Sequence, residues 1–220
     1  MIELKGLSKS YTVSGKTIQA LRPVDLSIEQ GSFVSIVGHS GSGKSTFLSL
    51  VGGIARPDTG TVILDGTDIR SYDDRGLSKL RNGKIGFIYQ FASLIPTLTA
   101  TENVLLPTVF GGKKKRDDAV RLLRLVGLGD KTDRYPSELS GGEQQRVAIA
   151  RAFIHDPEII LADEPTGDLD EETEAEIMAF FEKINSEKKV TMIMVTHSSE
   201  IALRAATRFR MKQGTLEKLA

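Results

Sequence analysis

The sequence contains no cysteine and no tryptophan, and neither sign of charge is in excess. Without cysteine, disulfide bonds, thiolate metal sites and thiol catalysis are all excluded. The 29 lysine and arginine residues equal the 29 aspartate and glutamate residues, so the basic excess of a non-specific nucleic-acid binder is missing and we expect no nucleic-acid partner. No apolar run approaches the roughly 20 residues that span a bilayer, and the charged, alternating residues 1–5 are unlike a signal peptide. Any membrane-spanning part is therefore expected on another protein.

What is present is ordinary globular composition over 220 residues, enough for one domain with a sizeable core. Short apolar runs alternate with helical patterns, which predicts an α/β domain with a largely parallel sheet. A helix is predicted from Lys44 to about Gly52, and Asp65-Gly66 predicts a tight turn. The predicted strands are residues 32–37, 61–64, 85–89, 159–162 and 192–195.

The middle of the chain, about residues 91–153, follows a mostly helical pattern that glycine and proline interrupt. We interpret it as a helical subdomain inserted into a core of residues 1–90 and 154–220, so that the whole chain is one domain. The charge cluster Lys113-Lys114-Lys115-Arg116 is interpreted as the solvated start of a helix over residues 116–126. Contact with lipid headgroups or a partner protein is the alternative for this cluster.

A glycine-rich loop follows the first predicted buried strand and precedes a predicted helix. It fits the pattern G-x-x-x-x-G-K-[ST], and the strand–loop–helix context is the one in which that pattern binds phosphate. Backbone N–H groups wrap the phosphates, and the helix N-terminus adds partial positive charge. We expect Lys44 to reach the β- and γ-phosphates of a nucleotide and the Ser45 hydroxyl to bind Mg²⁺; a loop without nucleotide is the alternative. The predicted nucleotide contacts are Gly38, His39, Ser40, Gly41, Ser42, Gly43, Lys44, Ser45 and Thr46.

A second candidate half of the site lies at the end of the predicted strand 159–162, which two carboxylates follow. The strand would place Asp163 at the sheet edge, near the metal. Glu164 is one residue further on, where it could accept a proton from an attacking water. Acidic strand ends are common, so this pair indicates catalysis only together with the phosphate loop.

The segment Leu139-Ser140-Gly141-Gly142-Glu143, followed by Gln144-Gln145-Arg146, closely resembles the signature motif of the ATP-binding-cassette (ABC) family. Its serine and glycines begin a predicted helix that continues to Phe153, another helix N-terminus suited to an anion. In the family this motif contacts the γ-phosphate held by the other subunit. The resemblance therefore implies a head-to-tail homodimer with two composite ATP sites, in which Ser140, Gly141, Gly142 and Glu143 bind nucleotide; a plain helix cap is the alternative.

Four further landmarks of the family follow in the expected order. Gln90 resembles the glutamine that senses Mg²⁺ and water, and Gly167-Asp168-Leu169-Asp170 resembles the loop that crosses the dimer interface. His197 resembles the switch histidine that holds the γ-phosphate, and Tyr11 is placed like the aromatic residue that stacks on adenine. The resemblance thus implies the catalytic residues Glu164, His197, Gln90 and Lys44, and the metal ligands Ser45, Gln90 and Asp163.

Three positions depart from the usual family pattern. His39 stands where proline or serine is more common, and its side chain is expected to point outward. Asp168 stands where close relatives usually carry asparagine, and Ser198 where aspartate often follows the switch histidine. None of the three removes a catalytic group, but the last two could alter how the dimer interface responds to nucleotide.

The resemblance implies a P-loop NTPase core with a mostly parallel sheet, an N-terminal antiparallel β subdomain and an inserted α-helical subdomain. It implies an ATPase that drives a separate integral-membrane permease from the cytoplasmic face of the inner membrane. Residues 85–91, 97–104 and 163–167 are similar to lipoprotein-releasing and macrolide-efflux ATPases, whose permease has four spans and a large extracytoplasmic domain. This similarity favours export or extraction of a hydrophobic or lipid-linked substrate.

Three other classes share parts of this pattern. DNA-repair and chromosome-organising ATPases normally interrupt the cassette with coiled coils or zinc modules, and this chain has neither heptad arms nor cysteine. Translation factors of the superfamily carry two cassettes, whereas this chain has one. A cell-division ATPase with a permease-like partner that transports nothing has the same catalytic motifs and stays open as the alternative.

Overall fold

Strands alternate with helices towards the two ends of the chain, and helices form its middle. The computed structural model describes residues 1–110, 116–167 and 169–219. Its strands are β1 (Ile2–Val13), β2 (Lys16–Ile28), β3 (Phe33–Val37), β4 (Thr59–Leu64), β5 (Thr67–Asp68), β6 (Ile85–Ile88), β7 (Ile159–Asp163), β8 (Thr191–Thr196), β9 (Thr207–Lys212) and β10 (Thr215–Lys218). Its α-helices are α1 (Lys44–Val51), α2 (Asp74–Lys84), α3 (Ala100–Leu105), α4 (Arg116–Leu125), α5 (Gly141–Ala152), α6 (Glu171–Lys188) and α7 (Ser199–Ala202). Short 3-10 helices cover Ile69–Ser71, Leu106–Phe110 and Pro136–Glu138.

Two sheets organise the strands. The larger sheet has the order β10-β9-β3-β8-β7-β6, and its strand pairs are parallel except for β10 with β9. The second sheet has the order β2-β1-β4-β5, with antiparallel pairs throughout. Parallel neighbours need crossover connections, which helices supply here. The predicted α/β class, with a mostly parallel sheet and an antiparallel N-terminal sheet, is confirmed.

The larger sheet is covered on both faces. Strands β3 and β8 are buried along their whole length, and alternate residues of a strand point to opposite faces. In β7, Ile160 and Ala162 join the core formed with α4, α5 and α6, whereas Ile159 and Leu161 join the core formed with α1 and the antiparallel sheet. This two-sided burial is why β7 and β8 are nearly continuous apolar runs.

The turn between β4 and β5 is the tight turn that the sequence predicts. Asp65 and Gly66 have φ values of 48° and 80°, which is the left-handed pair of a type I′ hairpin turn. The Asp65 carboxylate accepts hydrogen bonds from the N-terminal amine at 2.8 Å and from Lys84 Nζ at 2.9 Å. These two partners hold the pKa of Asp65 below its usual value.

Capping boxes begin two of the middle helices. At α3, Thr99 Oγ1 accepts the backbone N–H of Glu102 at 3.3 Å, and the Glu102 carboxylate accepts the backbone N–H of Thr99 at 2.8 Å. At α5, Ser140 and Glu143 make the same reciprocal pair at 3.3 and 2.8 Å. Each box satisfies backbone donors that the helix itself leaves unpaired.

The middle helices α3, α4 and α5 lie between β6 and β7 in the chain and pack against one another. Helix α4 begins at Arg116, whose guanidinium pairs with Asp133. The remainder of the predicted charge cluster, Lys113 to Lys115, lies outside the described residues. The division into a core of residues 1–90 and 154–220 and a helical subdomain of residues 91–153 stays a prediction.

The individually predicted strands and helices all form, with ends that differ by at most two residues. The predicted strand 85–89 is β6 without its last residue, and the predicted strand 61–64 starts two residues earlier as β4. Among the described residues, the structure has no helix whose length and apolar character would let it cross a bilayer.

Candidate nucleotide-binding and catalytic site

The carboxyl ends of four neighbouring parallel strands meet at one edge of the larger sheet. Strand β3 leads into the glycine-rich loop, β8 ends just before His197, β7 ends at Asp163, and β6 ends two residues before Gln90. The parallel pairings of β3 with β8, β8 with β7 and β7 with β6 set these ends side by side. This edge is where open α/β sheets bind their ligands.

The glycine-rich loop turns tightly against two strands of the fold. Gly43 has φ 111°, and a Cβ atom there would lie 2.1 Å from the Ala20 carbonyl oxygen in β2. A Cβ atom on Gly38 would lie 2.5 Å from the Met211 carbonyl oxygen in β9. Only glycine fits at either position without moving the backbone. Neither position places a side chain in the loop, so its backbone groups stay accessible.

Polar groups of the loop converge on its interior. Lys44 begins α1, and its Nζ donates to the carbonyl oxygens of Gly38 at 2.6 Å and His39 at 3.2 Å. The Ser42 hydroxyl is buried and has no hydrogen-bond partner within the described part of the chain. A buried hydroxyl without a partner is costly, and a bound phosphate would supply one. The remaining predicted contacts divide into exposed His39, Ser40, Gly41 and Ser45 and half-buried Gly38, Gly43 and Thr46.

Lys44, Glu164 and His197 form a connected polar group at this edge. The Lys44 ammonium lies 3.6 Å from Glu164 Oε1, and both side chains are only 8% exposed. Glu164 Oε2 accepts the backbone N–H of His197 at 3.1 Å and lies 2.8 Å from its Nδ1. The His197 side chain is 68% exposed, so it spans the distance from a buried carboxylate to the surface.

Glu164 holds an unusual backbone conformation. Its φ of 48° lies in the left-handed region, which costs a side-chain-bearing residue of order 1 kcal/mol or more and persists only where the surroundings enforce it. Its N–H donates to the Val195 carbonyl oxygen of β8 at 2.9 Å, and its carboxylate is held by His197. Strain of this kind is characteristic of functional sites.

Asp163 and Ser45 line the same small cleft beside the loop. Burial raises the pKa of the Asp163 carboxyl, and the charge of Glu164 raises it further; the Ser45 hydroxyl and the Lys44 charge act in the opposite direction. Within the described ranges, no three histidine, aspartate or glutamate side chains are grouped to hold a metal by themselves. One carboxylate and one hydroxyl suit Mg²⁺, which prefers oxygen ligands and takes few from protein when phosphates are present.

The side-chain hydrogen bonds and the ion pair described for Ser140 and Glu143 stay within residues 131–143. Ser140 and Glu143 hydrogen-bond each other, and the Glu143 carboxylate pairs with Lys131. The hydrogen bond from Lys131 is the main reason that the pKa of Glu143 lies below its usual value. Gly141 has no atom within 4 Å of a Cβ that would be added there, so the start of α5 has open space in front of it. The structure therefore brings Lys44, Glu164 and His197 together but does not join them to Ser140.

Gln90 and Tyr11 are both exposed. Gln90 follows β6 at the sheet edge where Glu164 lies, and its role as a sensor of Mg²⁺ and water stays a prediction. Tyr11 lies in β1, 40% exposed, and Lys9 Nζ lies 5.5 Å from the centre of its ring. An exposed ring is available for stacking against a flat ligand.

Two of the three positions that depart from the usual family pattern, His39 and Ser198, lie within the described residues and have a local explanation. The exposed His39 side chain agrees with the outward orientation that the sequence predicts. Ser198 caps α7 by accepting the backbone N–H of Ile201 at 3.3 Å. Serine and aspartate are comparable N-cap residues, which explains why serine is tolerated here. Asp168 lies outside the described residues.

Sequence reasoning missed two residues of α5 that hold the site segments. Gln145 Nε2 donates to the carbonyl oxygens of Tyr89 and Pro165, and Arg151 donates to those of Ala92 and Ser93. Burial lowers the pKa of the Arg151 guanidinium. Their position in the signature helix was visible in the sequence, but their partners are backbone carbonyls of distant segments, which no sequence pattern encodes.

Comparison with known proteins supports the same interpretation. Residues 21–167 match the family described as ABC transporter. The lipoprotein-releasing system ATP-binding protein LolD of Syntrophus aciditrophicus is 42% identical over 219 residues, which cover 98% of each chain. The macrolide export ATP-binding/permease protein MacB of Rhodopirellula baltica is 44% identical over 219 residues, which cover 97% of this chain and 32% of MacB.

A solved structure is equally similar. The dimeric structure of a post-hydrolysis state of the ATP-binding cassette MJ0796 bound to ADP and Pi superimposes with a TM-score of 0.94 at 42% identity, covering 100% of this chain and 99% of that one. A protein of that designation comes from Methanocaldococcus jannaschii. The chain therefore belongs to the ABC transporter family as an ATP-binding and ATP-hydrolysing subunit, in the branch that includes the lipoprotein-releasing and macrolide-export ATP-binding proteins.

Proposed function

We propose that ATP is hydrolysed at the sheet edge where Lys44, Glu164 and His197 meet. The observation that carries this proposal is the chain of contacts from the Lys44 ammonium through the buried Glu164 carboxylate to His197. It places a cation, a base and a further hydrogen-bonding group beside a loop whose backbone and free Ser42 hydroxyl suit phosphate.

Nucleotide binding is assigned to the loop residues 38–46, with Tyr11 stacking on the adenine. Lys44 would exchange the carbonyl oxygens of its own loop for the β- and γ-phosphates. Ser45, Asp163 and Gln90 would hold Mg²⁺, which would offset the negative charge of the phosphates. Burial disfavours the charged form of the Asp163 carboxyl and so raises its pKa; a cation beside it would favour that charged form.

In the proposed chemical step, the oxygen of a water attacks the γ-phosphorus, and the bond from that phosphorus to the β-phosphate oxygen breaks. Glu164 takes the proton of the water, and ADP and inorganic phosphate are the products. Because His197 Nδ1 faces Glu164, its Nε2 is the ring nitrogen left for the terminal phosphate. Lys44 stabilises the negative charge that develops on the phosphoryl group.

Glu164→Gln tests the role of the base. The amide keeps the shape of the side chain but cannot accept the proton, so we expect kcat to fall by about 100-fold or more while ATP affinity stays within a few-fold. Steady-state phosphate release and binding of a fluorescent ATP analogue measure the two quantities. Glu176→Gln, the same change at an exposed position of α6, is the matched control. Undiminished turnover in Glu164→Gln would remove Glu164 from this role.

The dimer of MJ0796 is the basis for proposing that this chain also works as a homodimer. Each ATP would lie between the Lys44 loop of one chain and the Ser140–Glu143 helix start of the other, consistent with the open space in front of Gly141. A helix N-terminus attracts the terminal phosphate. Closure would move the proposed helical subdomain, residues 91–153, relative to the core, and hydrolysis would reopen the dimer.

The proposed partner is an integral-membrane permease with four spans and a large extracytoplasmic domain, and the chain would bind it at the cytoplasmic face of the inner membrane. The names of MacB and LolD, which describe a macrolide export permease and a lipoprotein-releasing system, support a permease partner. The four spans, the extracytoplasmic domain and the inner membrane follow from the resemblance of residues 85–91, 97–104 and 163–167. The corresponding transport would be the export or extraction of a hydrophobic or lipid-linked substrate.

Co-purification tests the partner. Tagged Glu164→Gln with ATP would be isolated from solubilised native membranes, and its partners identified by mass spectrometry, with Lys44→Ala as the nucleotide-free control. Recovery of a four-span permease supports the proposal. Recovery of wall-hydrolase regulators with a permease-like protein would favour the cell-division alternative, and recovery of only a homodimer would contradict the transporter assignment.

A further inference from the structure

We infer that Gln145 is a positioning residue that ties the Gln90 and Glu164 segments to the signature helix α5. Its side chain is only 2% exposed. Its amide nitrogen Nε2 donates to both the Tyr89 carbonyl oxygen at 2.8 Å and the Pro165 carbonyl oxygen at 3.3 Å. These carbonyls lie directly before Gln90 and directly after Glu164. This inference rests on the roles proposed above for those two residues.

The Pro165 contact supports a strained part of the chain. Glu164 has the left-handed φ of 48°, and such a conformation requires neighbours that hold it. Pro165 has no N–H group to donate, so its carbonyl oxygen is the backbone group through which hydrogen bonds can hold it, and Gln145 supplies a donor there. Without this hydrogen bond, the backbone at residues 164–165 would be held less firmly, and the orientation of the Glu164 carboxylate would be less well fixed.

The Tyr89 contact holds the segment that contains Gln90. Helix α5 also binds the residues that follow Gln90, through Arg151. Arg151 Nη2 donates to the Ala92 carbonyl oxygen at 2.8 Å, and its Nη1 donates to Ser93 at 3.0 Å. One rigid helix thus binds the chain before and after Gln90. The same helix begins at Ser140, so a displacement of its first turn is carried to both loops through Gln145.

The adjacent glutamine provides a natural comparison. Gln144 Nε2 donates to the carbonyl oxygens of Pro136 at 2.9 Å and Leu139 at 3.2 Å. It makes two bonds of the same kind, from the same helix, but only to the segment that precedes α5. A loss of general helix stability should therefore follow from changing either glutamine, whereas a loss of positioning should follow from Gln145 alone.

The experiment compares Gln145→Met, Gln145→Glu and Gln144→Met in the purified full-length protein. Methionine keeps the length of the side chain without donors, and glutamate has nearly the same shape but presents oxygen to both carbonyls. For both Gln145 variants we expect kcat to fall by about tenfold or more, with KM and the affinity for a fluorescent ATP analogue within about threefold. Gln144→Met should keep kcat within about twofold of the unchanged protein.

Each other outcome contradicts the inference. A kcat within about twofold for Gln145→Met overturns it, as does a loss of ATP affinity and melting temperature that parallels the loss of kcat, since that pattern is a folding defect. An equal fall of kcat in Gln144→Met would likewise show that helix stability is responsible. The proposed function is tested separately by Glu164→Gln: if that variant loses turnover while Gln145→Met does not, only the role of Gln145 fails.

Discussion

At the scale of single residues, Gly43 illustrates how the absence of one carbon atom shapes the phosphate loop. The residue combines φ 111° with a backbone carbonyl, that of Ala20, at 2.1 Å from where a Cβ would lie. A backbone atom of a neighbouring strand cannot give way as a flexible side chain could. The loop and β2 are therefore held at a separation that only glycine allows.

Gly43→Ala should disturb the loop and weaken ATP binding by about tenfold or more, because the loop must move off the position that wraps the phosphates. Titration with a fluorescent ATP analogue measures the change. Gly83→Ala is the matched control: it is exposed in α2, without a positive φ and with open space around it, so alanine should stabilise the protein by about 0.5–1 kcal/mol and leave binding unchanged. Equal binding by Gly43→Ala would contradict the close packing described here.

At the scale of secondary-structure elements, the capping boxes of α3 and α5 allow an effect on stability to be told apart from an effect on function. Thr99 with Glu102 and Ser140 with Glu143 make the same pair of hydrogen bonds at the starts of α3 and α5. An N-cap alanine substitution typically costs about 1 kcal/mol. The two sites should therefore respond alike in stability, while only the second belongs to the proposed nucleotide-binding surface.

Thr99→Ala and Ser140→Ala should each lower the free energy of unfolding by about 1 kcal/mol, since each leaves a backbone donor at a helix start without its partner. Thr99→Ala should keep its ATPase activity, whereas Ser140→Ala should lose part of it because the hydroxyl proposed to face the nucleotide of the other chain is gone. Denaturant unfolding and phosphate release measure the two effects. The same activity in both variants would place Ser140 outside the nucleotide site.

At the scale of the whole molecule, the proposed dimer divides each site between two chains. Lys44 and Ser140 of one chain belong to different sites, in agreement with the lack of any described contact between the signature segment and Lys44. The arrangement predicts that two inactive variants can repair each other, because their mixed dimer combines the intact Lys44 of one chain with the intact Ser140 of the other.

A mixture of Lys44→Ala and Ser140→Arg chains should regain up to about a quarter of the wild-type ATPase activity, since half of the dimers are mixed and each keeps one intact site. A chain with both substitutions, mixed with the unchanged chain, is the control: its mixed dimers have a defect in each site, so the mixture should keep only the activity of its unchanged homodimers, about a quarter of the wild-type value. No recovery in the first mixture, or activity clearly above that of the unchanged homodimers in the second, would contradict the composite arrangement.

The sequence alone determined the local structure of the strands, turns and helix starts, and it indicated the family. The predicted strands form because runs such as residues 159–162 and 192–195 are apolar enough to be covered on both faces. The Asp65-Gly66 turn and the serine cap of α5 form because short-range sterics and hydrogen bonds decide them. The glycine pattern before Lys44 and the signature segment were likewise sufficient to indicate the family.

Only the tertiary structure decided which distant groups meet. The order β3-β8-β7-β6 brings Lys44, Glu164 and His197 to one edge, and β7 and β8 are joined in register there although α6 separates them in the chain. The left-handed conformation of Glu164 and the two carbonyl partners of Gln145 depend on the same packing. Such contacts follow from strand order and register, which are set by burial over the whole domain rather than by the local pattern of residues.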